Sequence, residues 1–340
     1  MAVTIDGNTG VSAVQDGVVT ESDLTAATRS TLVSGRRNFI INGDFMVAQR
    51  GTSQTSAGYG SVDRWYLYSS GGTYSQSTSS PPDGFSHYLT CTGATGAVIF
   101  AQAIELPATG KAGVFYNGQT ITVSYYAKST VAGDALHNPL SFRNSQTSIT
   151  DLVQIDNDSS DNNVLTTSWA KYSKTYTIGV SAHANNTCLV VQPRTSGAPS
   201  GDISITGVQL EVGTVATEFD HRSYGEELQL CKRYYQLVES ASGMSANTTV
   251  AQFNVPFSVE MRSAPTVSIS DVNGVTCARI TDHAYADTTI TSGATIVISN
   301  VSKYGSRTQI GGFTGLTQGR FVGFLPGASY SSFMRFDAEL

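Results

Sequence analysis

The sequence predicts an all-β protein built from antiparallel sandwiches. Ser and Thr make up about a quarter of the chain, whereas charged residues are only 14% of it. With 33 Gly, 16 Tyr and 14 Phe, the composition favours pleated, half-buried strands joined by tight turns. The segment Thr120–Lys128 alternates apolar and polar residues, which is the period of a strand with one buried face. Leu, Glu and Lys are too scarce for a coiled coil or a helical bundle.

Four regions follow one another along the chain. Residues 1–37 are small, polar and interrupted by Gly, with too few large apolar residues for a core, and predict an extended arm. Residues 38–222 carry repeated strand patterns and predict the first β domain. In the strand pattern at 203–212 the alternation slips at Gly207, which predicts a β-bulge there.

A linking helix is predicted over residues 223–242. Ser223 and Glu226 have the Ser-x-x-Glu spacing of a capping box, and apolar residues recur after them at helical spacing. Residues 243–340 then show five further strand patterns and predict a smaller C-terminal β-sandwich.

Charge and hydropathy exclude several classes of function. The formal net charge is −6 with only 20 Lys and Arg residues, so the chain lacks the basic footprint that a nucleic-acid partner requires. No apolar run approaches the roughly 18–20 residues that span a bilayer, which argues against membrane insertion. The first 20 residues lack the basic and apolar segments of a secretory leader, so we expect synthesis in the cytoplasm.

The cysteines predict neither a metal site nor a disulfide framework. Cys91, Cys188, Cys231 and Cys277 are widely spaced and form no CxxC pair. We therefore expect reduced thiols in the core.

No catalytic motif rises above background. The chain has no GxSxG elbow, no phosphate-binding loop and no HExxH, and its five His residues are scattered through polar stretches. Paired carboxylates of the glycosidase type remain open, because a sandwich assembles them from distant strands, but the sequence singles out no pair. We therefore expect a protein that is not an enzyme and that needs no cofactor.

Aromatic residues beside Ser- and Gly-rich loops are the candidate binding residues. Aromatic faces stack on sugar rings, and neighbouring polar groups hydrogen-bond the sugar hydroxyls. The candidates for glycan binding are Tyr59, Tyr68, Tyr74, Tyr285, Tyr304 and Tyr330. Trp65 and Trp169 stand in or beside strand patterns and are interpreted as core residues.

A series of motifs resembles the jelly-roll module of bacteriophage tail fibres and related virion appendage proteins, which is itself similar to carbohydrate-binding modules. The motifs are Asn-Phe-Ile-Ile-Asn-Gly-Asp-Phe at 38–45, Ala-Gln-Arg-Gly at 48–51, Asp-Arg-Trp at 63–65, Ile-Thr-Gly-Val-Gln-Leu-Glu-Val-Gly at 205–213, His-Arg-Ser-Tyr-Gly-Glu-Glu-Leu at 221–228 and Cys-Lys-Arg-Tyr-Tyr at 231–235. They recur in the family's order over roughly residues 38–236. The family commonly has Trp before the Gln-Arg-Gly, where this chain has Ala48.

The resemblance implies a jelly-roll β-sandwich over residues 38–222 and a role in a virion. The run that includes Ile5, Asp6 and Asn8 resembles the segment by which such fibres are anchored to the particle, and residues 257–267 resemble the C-terminal β domain that often follows. Relatives that bind carbohydrate often hold a structural Ca²⁺, and by position the weak candidate ligands here are Asp44 and Glu211.

The expected function is therefore that of a tail fibre or appendage that binds the host surface. We expect a homotrimer, because a weakly ordered arm and small polar β domains gain stability by symmetric association. Its partners would be other virion proteins, through the arm, and a host glycan, through the distal domains. Two alternatives remain open: a purely structural head or tail protein, and a polysaccharide depolymerase.

Overall fold

The computed structural model of the chain describes residues 37–147, 152–156, 163–270, 278–282, 287–290, 293–324 and 333–339. Apart from Arg37 the predicted arm lies outside the described residues. The candidate residues that lie outside them are Ile5, Asp6, Asn8, Tyr285 and Tyr330.

The first domain is a two-layer antiparallel sandwich. Its strands are β1 (Ser53–Gln54), β2 (Tyr66–Tyr68), β3 (Thr73–Ser77), β4 (Tyr88–Thr92), β5 (Ile99–Glu105), β6 (Thr120–Ser129), β7 (Ala135–Leu136), β8 (Leu140–Arg143), β9 (Val153–Asp156), β10 (Asn163–Val164), β11 (Ala170–Thr177), β12 (Cys188–Val191) and β13 (Ile203–Val212). One sheet has six strands in the order β1-β3-β4-β13-β6-β11, and the other has five in the order β2-β5-β12-β8-β9. β7 and β10 form a separate short pair.

The core of this domain lies between the two sheets. Tyr125 and Leu210 of the six-stranded sheet and Phe100 of the five-stranded sheet belong to one cluster of buried side chains. Trp65 joins them and is fully buried, as the sequence predicted, with its indole N–H donating to the carbonyl of Asn42 at 2.8 Å. The predicted all-β sandwich fold is confirmed.

The bulge in β13 is also present where the sequence predicted it. The pairing of β13 with β6 shifts register between Thr206 and Gln209, and Gly207 has a φ of +62°. A residue with a side chain rarely adopts that conformation, so glycine is the natural residue for this turn of the strand. After the bulge the strand continues to Val212 with its inner face still in the core.

The helix is shorter than the sequence predicts. α1 runs from Tyr224 to Lys232, and Ser223 and Glu226 form the predicted capping box. The prediction of a linking helix to residue 242 is wrong beyond Lys232, because the backbone from Tyr235 onward pairs with the last strand of the chain. α1 also packs against the rest of the protein, since its residues Glu227 and Cys231 are buried.

The second domain is a smaller two-layer β structure. Its strands are β14 (Tyr235–Val238), β15 (Ala241–Ser245), β16 (Val250–Pro256), β17 (Thr266–Ser270), β18 (Ala278–Asp282), β19 (Asp287–Ile290), β20 (Thr295–Ser302), β21 (Gly305–Gly311), β22 (Phe321–Phe324) and β23 (Phe333–Asp337). A seven-stranded sheet, β19-β18-β22-β15-β16-β21-β20, packs against a three-stranded sheet, β14-β23-β17. The sequence did not predict five of these strands, namely β14, β15, β18, β19 and β21.

A buried charge network joins the two domains. Arg50 and Arg64 of the sandwich reach the last residues of the chain, where Glu339 accepts ion pairs from both guanidinium groups. The two guanidinium groups also lie over aromatic rings, Arg50 at 3.6 Å from the ring centre of Tyr235 and Arg64 at 3.5 Å from that of Tyr234. Several motif residues that carry the family resemblance therefore hold the domains together.

The described cysteines match their prediction. Cys91, Cys188 and Cys231 are buried and free, whereas Cys277 lies outside the described residues. Within the described ranges, no helix has the length and apolar character needed to cross a membrane.

Candidate functional site

Tyr74 is a core residue, so its prediction as a glycan-binding residue is wrong. It is 2% exposed, and its ring meets that of Phe100 edge to face at 5.5 Å. Its hydroxyl donates to the carbonyl of Tyr68 at 2.6 Å and accepts from the amide of Ile99 at 3.1 Å. Both its ring and its hydroxyl are thus used within the fold.

The other described tyrosine candidates lie at separate places. Tyr59 is half-buried at the domain interface, edge-on to Tyr66 at 5.7 Å and beside Arg50, in a small cleft of about 180 Å³. Tyr68 is 41% exposed on β2 of the five-stranded sheet. Tyr304 is 62% exposed in the turn between β20 and β21 of the second domain, with the ammonium of Lys303 4.9 Å from its ring centre.

Asp44 and Glu211 do not fit as a pair of Ca²⁺ ligands. Both oxygens of Glu211 are engaged by Thr217, whose amide and hydroxyl donate to them at 2.8 and 2.7 Å. Asp44 is buried beside Glu227, and burial followed by the charge of Glu227 raises its pKa to about 6. One oxygen of Asp44 lacks a hydrogen-bond partner. In the part of the chain that the structure describes, no group of three or more His, Cys, Asp and Glu side chains is arranged to hold a metal ion.

The outer face of the six-stranded sheet carries a different and larger group of aromatic side chains. Along β6, Ile121, Val123 and Tyr125 point into the core, so Tyr126 and Lys128 share the opposite face. Tyr126 lies opposite Thr206 on β13, directly before the bulge. We call the aromatic face the group formed by Phe85, Tyr88, Tyr126, Lys128, Trp169, Phe219 and His221.

One half of the aromatic face is built around the bulge. Phe85 lies against Tyr126, with ring centres 5.3 Å apart, and against Phe219 and His221, each at 5.2 Å. Phe219 and His221 are themselves 4.8 Å apart. A Cβ on Gly207 would lie 2.6 Å from Phe85 Cζ, so only a glycine lets this ring lie over the strand. Burial lowers the pKa of His221, which keeps its imidazole neutral at pH 7.

The other half surrounds Lys128. Trp169 meets Tyr88 edge to face at 5.2 Å, and its indole N–H donates to the carbonyl of Ser80 at 3.0 Å. Lys128 Nζ lies 4.8 Å from the ring centre of Trp169 and 5.8 Å from that of Tyr88. Trp169 is half-buried on this outer face, so its interpretation as a core residue is wrong.

Polar groups alternate with these rings on the same sheet face. Ser204 lies between Lys128 and Thr90 across three strands, and its hydroxyl donates to that of Thr90 at 3.1 Å. Phe85, Tyr126, Trp169 and Phe219 are each partly exposed. Partly exposed rings beside hydroxyl and ammonium groups have the chemistry to stack on a flat, hydroxyl-bearing ligand.

The sequence contained one signal for this face. Tyr126 stands at a position of β6 whose neighbours on the same side, Ser124 and Lys128, are polar. An aromatic residue on the polar side of a strand is exposed unless something covers it. Phe85, Trp169, Phe219 and His221 come from turns and strand ends, and only the folded chain brings them to Tyr126.

Comparison with known proteins gives resemblances at low identity. No family model matches the chain, and no curated protein matches it. Among solved structures, it is similar to a putative sugar binding protein from Bacteroides thetaiotaomicron, at 15% identity and a TM-score of 0.36, over 52% of this chain and 100% of that one. It is also similar to the CBM22-1 xylan-binding domain of Paenibacillus barcinonensis Xyn10C, at 13% identity and a TM-score of 0.34, over 54% of this chain and 100% of that one.

A third similar structure is the enzymatically active domain of bacteriophage CBA120 tailspike protein 4. The identity is 17%, the TM-score is 0.32, and the match covers 52% of this chain but only 21% of that one. At identities of 13–17% and TM-scores of 0.32–0.36, these likenesses identify no ligand for this chain.

Proposed function

We propose that the protein is a phage virion appendage that binds a glycan of the host surface through the aromatic face. The observation that carries the proposal is the group of partly exposed rings on the outer face of the six-stranded sheet, beside the ammonium of Lys128 and the hydroxyl of Ser204. Aromatic rings that stay partly accessible side by side on a sheet face mark a candidate binding surface. Ring stacking supplies most of the affinity for a sugar, and polar neighbours supply its orientation.

The virion part of the proposal rests on the ordered motifs at 38–236 and on the arm that includes Ile5, Asp6 and Asn8. The arm would attach the chain to other virion proteins, and a homotrimer would present three aromatic faces together. Several weak sugar contacts held at high effective concentration then give avid binding without chemistry. The protein in this proposal is not an enzyme.

The aromatic face is tested by binding to host cell envelopes and to purified polysaccharides. Trp169→Ala and Tyr126→Ala should each lower the affinity about tenfold or more, because each removes a stacking surface worth roughly 1.4 kcal/mol. Tyr116→Ala is the matched control, since this tyrosine is exposed in the loop between β5 and β6 and is not part of the aromatic face, and it should bind as the wild type does. Circular dichroism should show that all three variants are folded.

Other outcomes would overturn the proposal. Unchanged binding by Trp169→Ala and Tyr126→Ala would remove the aromatic face as the binding site. A chain that ignores envelopes but binds other virion proteins would favour a purely structural role. Release of reducing ends from a host polysaccharide would favour a depolymerase. Light scattering on the same preparation measures the mass and so tests the homotrimer.

A further inference from the structure

Lys128 is the positive charge in the half of the aromatic face that Trp169 and Tyr88 form. It lies on β6, which is flanked by β13 and β11 within the six-stranded sheet. Its ammonium is within 6 Å of the ring centres of both Trp169 and Tyr88, and the residue is half-buried. Two rings that hold a cation on the outer face of a sheet fix its position and remove part of its hydration.

Lys128 has no carboxylate within ion-pair distance among the residues that the structure describes. Other long basic side chains of the sandwich do have one: Lys174 Nζ is 2.8 Å from Asp156 Oδ2, and Lys171 Nζ is 3.6 Å from Glu218 Oε1. The two rings stabilise the ammonium but leave its charge uncompensated. An anion that approached along the sheet face would therefore meet an ammonium whose position is already set.

Carboxylates border the bulge half of the aromatic face: burial and then the charge of Glu218 raise the pKa of Tyr126, and the charge of Asp220 acts on His221. Lys128 lies in the other half, against Trp169 and Tyr88. Lys171 lies opposite Tyr126 on β11. Its ammonium donates to the carbonyl of Thr217 at 2.7 Å and lies beside Glu218. Burial lowers the pKa of both His87 and His221, so both are neutral at pH 7. The chain as a whole carries a net charge of −6, so its overall charge repels anions and the attraction at this face is local.

We infer that the glycan taken by the aromatic face is anionic, with the sugar ring stacked on Trp169 and its acidic group paired with Lys128. This inference rests on the proposed function and names the class of its ligand. The acidic group is either a uronic-acid carboxylate or a sulfate or phosphate ester, since each accepts hydrogen bonds from an ammonium in the same way.

Two pairs of polysaccharides test the inference and separate the two sources of charge. Polygalacturonate is compared with its methyl ester, and dextran sulfate with dextran, each by affinity electrophoresis with the purified full chain. The wild type should prefer the anionic member of at least one pair by about tenfold. Lys128→Met keeps the apolar stem but removes the charge, and it should abolish that preference.

Lys111→Met is the matched control. Lys111 is an exposed lysine in the turn between β5 and β6, so its loss changes the net charge equally without touching the aromatic face. The preference should survive in Lys111→Met and should weaken with salt in the wild type.

The results distinguish failure of the inference from failure of the proposed function. Equal binding of the charged and neutral members by the wild type, or no binding to any of the four, overturns the anionic ligand. So does an anionic preference that Lys128→Met retains. If Trp169→Ala also leaves envelope binding unchanged, the aromatic face is excluded as the binding site. If Trp169→Ala weakens envelope binding, the aromatic face remains the binding site and only the preference for an anionic glycan is excluded.

Discussion

Gly207 shows how one residue shapes the candidate site. Its positive φ makes the bulge in β13, and its missing side chain makes room for Phe85 and Tyr126 above the strand. Both requirements act at the same position, because a Cβ there would be strained by the backbone and would meet two rings.

Gly207→Ala should destabilise the protein by about 1–3 kcal/mol and weaken glycan binding. The added Cβ would lie 2.6 Å from Phe85 Cζ and 3.2 Å from Tyr126 Cδ2, so both rings must move. Urea denaturation and envelope binding measure the two effects. Gly225→Ala is the control: this glycine is in α1 with open space around it, so the change should be neutral or stabilising by up to about 1 kcal/mol.

Asp63 makes stability depend on pH. It is 1% exposed, and burial raises its pKa from 3.8 to about 6, against the opposing effects of the Arg50 charge and the hydrogen bond from Gln49. A carboxyl group whose pKa is higher in the folded state favours folding when protonated. Its contribution to stability is therefore greatest below about pH 4 and falls as the pH rises through 6.

Asp63→Asn should flatten this part of the pH profile. Between pH 4 and 7 the stability of the wild type relative to the variant should fall by at most about 3 kcal/mol, which corresponds to two units of pKa. The measurement is the free energy of unfolding of both proteins at each pH. A relative stability that rises over this range would contradict the raised pKa.

At the scale of elements, α1 is held at its start and along one side. Ser223 accepts a hydrogen bond from the amide of Glu226, and the Glu226 carboxylate accepts from the amide of Ser223 at 3.2 Å. Along its length, Glu227 accepts from the amide of Asn42 and from Arg222, which also binds the carbonyls of Ile40 and Asn38. The helix is thereby fastened to the first motif of the sandwich.

Ser223→Ala should lower the free energy of unfolding by about 1 kcal/mol, because it leaves the Glu226 amide without its capping acceptor. Ser223→Asp should restore most of the loss, since a carboxylate caps equally well and favours the positive end of the helix dipole. Chemical denaturation of the three proteins measures both changes. Equal loss in the two variants would show that the cap has no role.

At the scale of the whole molecule, the buried network at the end of the chain couples the two domains. Glu339 is 5% exposed, and its partners Arg50 and Arg64 are 4% and 1% exposed. Buried ion pairs add little net stability over apolar residues, but loss of one partner leaves the others buried without compensation. The main effect of the network is therefore to couple the two domains, and its net contribution to the free energy of unfolding is small.

Glu339→Gln should destabilise the protein by about 3–5 kcal/mol, because the buried guanidinium of Arg64 would lose its carboxylate partner, whereas Arg50 would keep Asp337 at 2.8 Å. It should also separate unfolding into two transitions, as the domains uncouple. Calorimetry of the variant measures both effects. Glu260→Gln is the control, since its pair with Lys303 is exposed, and it should leave the melting temperature unchanged. A single transition at the wild-type temperature in Glu339→Gln would show that Glu339 does not couple the two domains.

Local patterns accounted for much of the fold. The alternation in Thr120–Lys128, the slip at Gly207 and the Ser223–Glu226 capping box each depend on residues within a few positions of one another, and each is present in the structure. The helix boundary failed for the opposite reason. Tyr234 and Leu237 continue the helical spacing, but β23, about a hundred residues away, pairs with this stretch and makes it a strand.

The sequence by itself determined the all-β class, the bulge, the capped helix and the buried free thiols, because these follow from composition and from short-range periodicity. The tertiary structure alone decided which aromatic residues are exposed together. Tyr74 is in the core, whereas Phe85, Trp169 and Phe219 lie on the outer face of the six-stranded sheet. Exposure of a ring depends on which distant strands pair and what covers each face, and that information is in the packing of the two sheets.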